Sequence, residues 1–200
     1  MRVDVRHVDV EFGGRNVLED VSASFSPGHL NVIMGPSGSG KTTLLAVVAG
    51  VVKPSDGGVS FYTNDQATEI SRGDVAWVMQ ANPHLVNRTV LDNLRVAWLA
   101  DGAPQRTDLM DMLSAVQIDH LARRRVRHLS AGERQRLAVA RALMLRRTIL
   151  LADEPTSDLD RENTEIITEL LVGASVHSTI IVATHDPLVA ARASHVLELR

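Results

Sequence analysis

The octapeptide Gly35-Pro36-Ser37-Gly38-Ser39-Gly40-Lys41-Thr42 fits the phosphate-loop pattern G-x-x-x-x-G-K-[ST] at every fixed position. Its glycines let backbone N–H groups crowd around one polyphosphate, and a helix starting at Lys41-Thr42-Thr43 adds partial positive charge. Lys41 would reach the β- and γ-phosphates, and the Thr42 hydroxyl would hold Mg2+. The 21 basic residues comprise two lysines, Lys41 and Lys53, and nineteen arginines. One of the rare lysines therefore stands where a compact point charge fits better than a planar guanidinium. A plain Gly/Ser turn is the alternative, and the order strand, motif, helix argues against it.

Further polar groups close apolar runs. Thr148-Ile149-Leu150-Leu151-Ala152 ends in Asp153-Glu154, and Pro155 turns the chain away at once. Asp153 would hold Mg2+, directly or through water. Glu154 sits where a base would orient and deprotonate an attacking water, with a solvated carboxylate as the alternative. Thr179-Ile180-Ile181-Val182-Ala183-Thr184 ends in His185-Asp186. A lone histidine is more often structural or exposed, but the place of His185 at a strand end before Asp186-Pro187 favours a chemical role. Val75-Ala76-Trp77-Val78-Met79 ends at Gln80, whose side chain would ligate Mg2+ or sense the γ-phosphate.

These groups need strands to position them. Val32-Ile33-Met34 reads as a buried strand, and Thr43 to Ala49 as a helix ended by Gly50. Ligands of an open parallel sheet sit outside the carboxyl ends of its strands, so the phosphate loop, Asp153-Glu154 and His185 all face one nucleotide. Upstream, Val3 to Val10 alternates like an edge strand, Phe12-Gly13-Gly14-Arg15-Asn16 reads as a turn, and Val17 to Phe25 resumes the alternation. Pro27-Gly28 breaks it, and Pro54-Ser55-Asp56-Gly57-Gly58 leads to a short strand at Val59–Tyr62. From about Thr89 to Leu145 helical spacing dominates, with Leu109, Met112, Leu113 and Val116 on one face. Leu129-Ser130-Ala131-Gly132-Glu133 opens a helix running to Leu143. Ser130 with Glu133 fits a capping box, and the same helix end reads equally as a second phosphate-binding N-terminus.

Composition narrows the function. Two hundred residues, 44% hydrophobic and 22% charged, suit one soluble domain. A net charge of −3 gives no electrostatic case for nucleic acid, and the absence of cysteine excludes disulfides and thiolate metal sites. No run approaches the ~18 apolar residues of a membrane span, and Met1–Arg6 lacks a signal-peptide core, so a membrane role is expected through a partner. Arg123-Arg124-Arg125 and Arg127 read as solvated surface, or else as a contact for an acidic partner or lipid headgroups. Trp77 reads as core, and Trp98 as core or part of a docking groove.

Taken together, the motifs resemble the nucleotide-binding subunit of ATP-binding cassette (ABC) transporters across nearly the whole chain. The family's LSGGQ signature and following Gln-Arg pair match Leu129-Ser130-Ala131-Gly132-Glu133 and Gln135-Arg136. Its Walker-B end matches Leu150 to Thr156, its D-loop Leu159-Asp160, its Q-loop glutamine Gln80 and its switch histidine His185. Phe12 falls where the family stacks an aromatic on adenine, and a small core aromatic is the alternative. The resemblance implies an α/β P-loop NTPase with a mostly parallel core sheet, an N-terminal antiparallel β subdomain and an inserted helical subdomain. That makes one ATPase domain over 1–200, with the core at about 1–85 and 146–200 and the helices at about 86–145.

The resemblance further implies a Mg2+-dependent ATPase that powers a separate membrane permease from the cytoplasmic face of the membrane. A second copy, or a paralogous subunit, closes head to tail on two ATP molecules, and no nucleic acid is involved. Ser130 and the Gly132 amide would then touch the γ-phosphate bound across the interface, with Asp160 of the D-loop beside it. Ala131 and Glu133 depart from the family's glycine and glutamine, and Glu133 is expected to point away from the phosphate. The motifs are most similar to the compact ATPases of lipoprotein-release and macrolide- or peptide-export systems. A chain closing at Arg200 leaves no room for the regulatory domain of many sugar importers, which leans towards export or extraction. A regulatory ATPase signalling through a membrane partner to cell-wall enzymes uses the same site and is the alternative.

Overall fold

The computed structural model describes residues 1–81, 83–100, 102 and 108–200. Alternating valines pull the N-terminus into β1 (Arg2–Phe12), where Val3, Val5, Val8 and Val10 are buried. The shift from odd to even positions marks an irregularity near His7, which adopts φ 47, and the register with the next strand slips between Val5 and Val8. A tight turn at Gly13-Gly14 returns the chain as β2 (Arg15–Phe25), antiparallel to β1. Contrary to the edge-strand expectation, β1 is an inner strand. Its other side pairs antiparallel with β4 (Asp56–Thr63), and β5 (Gln66–Thr68) completes the order β2-β1-β4-β5. The alternation reports one buried face, and that is common to edge and inner strands.

The second sheet is parallel throughout. It joins β3 (Leu30–Met34), β6 (Val75–Val78), β7 (Ile149–Asp153), β8 (Thr179–Ala183) and β9 (His195–Glu198) in the order β6-β7-β8-β3-β9. Every residue of β7 and β8 is buried, as expected where both faces are covered. Helix α1 (Lys41–Val48) lies between the sheets, and its Leu44, Leu45, Val47 and Val48 join Val3, Phe25, Ile33 and Ile181 in one core. The opposite face packs against α2 (Val90–Ala100), α3 (Leu109–Ala115), α4 (Ala131–Met144) and α5 (Arg161–Ser175), and short α6 (Pro187–Ala190) follows β8.

Leu113 and Val116 are fully buried and Leu109 and Met112 partly so, as their spacing predicts. Positions 101 and 103–107 of the predicted helical stretch lie outside the described residues. Trp77 and Trp98 are both half-buried, packed against the two cores rather than within them. Arg123, Arg124, Arg125 and Arg127 are exposed. Among the described residues no helix is long and apolar enough to cross a membrane.

Candidate active site

The carboxyl ends of β3, β7 and β8 open onto one cavity of about 530 Å³. Its walls are the loop from Pro36 to Gly38, the start of α1 from Gly40 to Thr43, and Gln80, Asp153, Glu154, Ser157 and His185, with Val17 at one side. Gly40 is the N-cap of α1 at φ 90, and a Cβ there would stand 2.8 Å from the Val17 carbonyl oxygen. Only glycine fits that approach, which sets the direction of α1 towards the cavity.

Lys41 is nearly buried, and its Nζ donates to the carbonyl oxygens of Gly35 at 2.8 Å and Pro36 at 3.0 Å. It stands 3.9 Å from Glu154 Oε1. Thr42 Oγ1 donates to Asp153 Oδ2 at 2.7 Å. Burial raises the Asp153 pKa above the usual carboxylate range, helped by the Glu154 charge and opposed by the Thr42 hydrogen bond and by Lys41.

Glu154 follows Asp153 at φ 48. The β7–β8 register pairs Asp153 with Ala183, so Glu154 meets the residues just beyond β8. Its Oε2 accepts from Thr184 Oγ1 at 2.9 Å, and its Oε1 lies 2.9 Å from His185 Nδ1. The carboxylate is held on both oxygens while the His185 side chain is largely exposed. A fixed carboxylate with a histidine at one oxygen has the arrangement of a positioned general base. The donor set also fits Mg2+: the Thr42 hydroxyl, the Asp153 carboxylate and the Gln80 side chain are hard oxygen ligands converging on one wall.

Other sequence-predicted residues lie elsewhere. Gly35 and Ser39 belong to the loop but do not line this cavity. Phe12 is 54% exposed, which removes the core alternative, and it too lies outside the cavity wall. Ser130 caps α4 with both halves of the predicted box: its Oγ accepts from Glu133 N at 3.2 Å, and its N donates to Glu133 Oε2 at 2.7 Å. Glu133 is thus folded back on its own helix start. Asp160 caps α5 by accepting from Asn163 N at 2.9 Å, and that bond lowers its pKa. None of Ser130, Gly132 and Asp160 reaches the cavity of its own chain. Val17 and Ser157 of the wall, and Thr184 and Gln135 around Glu154, have no site role assigned from sequence. Thr184, a hydroxyl closing an apolar run beside His185, carried a readable signal; Gln135, inside α4, carried none beyond its place next to Arg136.

A family profile described as ABC transporter matches residues 18–157. The chain is 36% identical over 183 residues to the lipoprotein-releasing system ATP-binding protein LolD 1 of Rhodopirellula baltica, covering 86% of this chain and 80% of that protein. It is 37% identical over 197 residues to the sulfate/thiosulfate import ATP-binding protein CysA 2 of Rhizobium meliloti, covering 93% of this chain but only 53% of that longer protein. Among solved structures, the ATP-binding cassette MJ0796, in a dimeric post-hydrolysis state bound to ADP and Pi, superposes with a TM-score of 0.83 at 29% identity. That match covers 99% of this chain and 94% of that one.

Proposed function

The chain belongs to the ABC transporter family as an ATP-binding, ATP-hydrolysing subunit, and from that premise we propose that two copies close head to tail on two ATP molecules to drive a separate membrane permease in export or extraction. The observation that carries the reading is the wall joining Lys41, Thr42, Asp153, Glu154 and His185 at the ends of three parallel strands. A dimeric relative bound to ADP and Pi supports the sandwich and the hydrolysis. The lipoprotein-releasing relative, covered to 80% of its length, supports extraction, and the sulfate/thiosulfate-import relative, covered to 53%, is the parallel on the other side.

In this reading Lys41 leaves the Gly35 and Pro36 carbonyls for the β- and γ-phosphates. Thr42, Asp153 and Gln80 would hold Mg2+, which would neutralise phosphate charge. Glu154, held by Thr184 and His185, takes a proton from the water whose oxygen attacks the γ-phosphorus. The bond to the bridging oxygen breaks, and ADP and phosphate leave. Ser130 and the Gly132 N–H of the second copy meet the γ-phosphate, Asp160 lines the dimer seam, and Phe12 stacks on adenine. The subunit sits at the cytoplasmic face of the membrane. The permease docks at the 120 Å³ groove lined by Trp77, Met79, Pro83, Ala97, Arg141 and Leu145, beside exposed Leu85 and Val86.

The test is a pull-down of tagged Glu154→Gln protein from detergent-solubilised native membranes with ATP, followed by mass spectrometry. A polytopic permease is the expected partner. Recovery of a membrane protein with wall-remodelling enzymes would favour the regulatory role instead, and purely soluble or nucleic-acid partners would overturn the transport reading.

A further inference from the structure

The first turns of α4 are fastened to the segment that begins at Glu154. Gly132 packs so closely on the loop before α5 that a Cβ would stand 2.8 Å from the Asp158 carbonyl oxygen. Three residues on, Gln135 is 5% exposed and its Nε2 donates to the Glu154 carbonyl oxygen at 3.3 Å. The next residue, Arg136, donates from Nη1 to Asn163 Oδ1 at 2.6 Å, and Asn163 in turn binds Asp160 through its N and Nδ2.

Glu154 is a non-glycine residue at φ 48, a conformation that its surroundings must hold. Its N–H donates to the Ala183 carbonyl of β8 at 2.8 Å. Its carbonyl accepts from Ser157 N at 3.3 Å, within the same turn, and from Gln135. Gln135 is therefore a tie that reaches this peptide from α4, and the residue whose backbone it holds is the candidate base.

We propose that Gln135 is a positioning residue for Glu154 and that it couples the two nucleotide sites. The coupling rests on the sandwich reading. The N-terminus of α4 meets the γ-phosphate held by the other copy, while Gln135, three residues inside the same helix, sets the Glu154 that serves its own chain's phosphate loop. A nucleotide arriving at one site moves α4, and α4 adjusts the base at the other.

The test is a kinetic cycle on the full chain. Gln135→Met keeps length and apolar packing but loses the donor, and Gln135→Glu keeps an acceptor but loses the donor. Both are expected to lower kcat by up to about tenfold, the upper end for the loss of one hydrogen bond, while ATP Kd stays within about twofold. In the Glu154→Gln background the same change is expected to lower the residual rate by less than about twofold, because Gln135 acts through that carboxylate. An equal loss in that background, or unchanged kcat in both single variants, overturns the positioning role. The coupling predicts that the Hill coefficient for ATP falls towards 1 in both variants, and an unchanged coefficient above 1 overturns it. ATP-dependent dimerisation of Glu154→Gln by light scattering separates the premises. Failure to dimerise removes the sandwich and with it the coupling, and the kinetic cycle then decides the positioning role by itself.

Discussion

Replacing Glu154 by Gln probes the chemistry while disturbing the packing least. The amide has the shape of the carboxylate, its oxygen can accept from one of the two neighbours, Thr184 Oγ1 or His185, and the Thr184 hydroxyl can rotate to accept from the new NH2. What disappears is the proposed base, together with one negative charge 3.9 Å from Lys41 Nζ. A positioned general base contributes roughly 10²–10⁴ in rate, or about 2.7–5.4 kcal/mol of barrier, and that loss falls on kcat. The lost Lys41–Glu154 attraction, of order 4 kcal/mol before desolvation at an effective dielectric near 20, acts in the other direction. It releases Lys41 towards the phosphates and removes a carboxylate from beside them. Turnover, read as phosphate release, therefore falls by about 10²–10⁴, while ATP affinity by calorimetry is equal or tighter. ATP then accumulates unhydrolysed, and light scattering should show the mass of a dimer, as an interface above ~1,000 Å² would hold. A loss below tenfold would remove Glu154 as the base. A tenfold weaker Kd would make it a structural group instead.

Two predictions concern pH and metal. The folded state raises the Asp153 pKa, so the folded protein holds a proton there that the unfolded chain releases. Stability is therefore lost as pH rises through that range, and at neutral pH the ionised carboxylate is a cost. Asp153→Asn should melt higher than the parent at pH 7.5 without ligand and lose the gain on adding Mg2+ with ATP; a lower melting point would refute the assignment. His84 is pushed down to about 4 by burial first, then by Arg141 and Arg134, so the unfolded chain binds the extra proton and stability falls as pH drops from 6.5 towards 4. Denaturant titrations at pH 7 and 5 should show a loss of about 1 kcal/mol, discounted for the partly exposed ring, that His84→Leu lacks, and equal losses in both would refute it.

Local signals picked out residues that the fold brings to one cavity, because a phosphate loop and a polar residue ending an apolar strand are short-range patterns. The partner of each strand is not. Which strands flank β1 depends on β4, which arrives some fifty residues later, so the valine alternation left edge and inner positions undistinguished. The meeting of Glu154 with Thr184 and His185 follows from the β7–β8 register, which no residue type announces. α5 is absent from the sequence expectations although its signals are local: Asp160 caps it, and Thr164, Ile167, Thr168 and Leu171 fall on its buried face. The hydrogen bond from Gln135 was not legible, because a buried glutamine inside a helix looks the same in sequence whether it serves packing or a catalytic turn.

The departures in the signature stretch make sense on this geometry. Two positions are glycine in the family's motif, and this chain keeps only the second. Ala131 is exposed in the first turn of α4, where an extra methyl meets solvent. Gly132 faces Asp158, where the same methyl would stand 2.8 Å from a backbone carbonyl. The constraint at Gly132 is therefore contact within one chain, and it applies before any second copy or nucleotide arrives. Glu133 follows the same logic. Its carboxylate is tied to the Ser130 N–H at 2.7 Å, where the helix dipole favours negative charge. The box uses the N–H groups of Ser130 and Glu133 and does not use that of Gly132, the amide proposed to meet the γ-phosphate. Capping and phosphate recognition thus draw on different donors of one helix end, and the capping reading of Ser130 does not compete with the proposed role across the dimer.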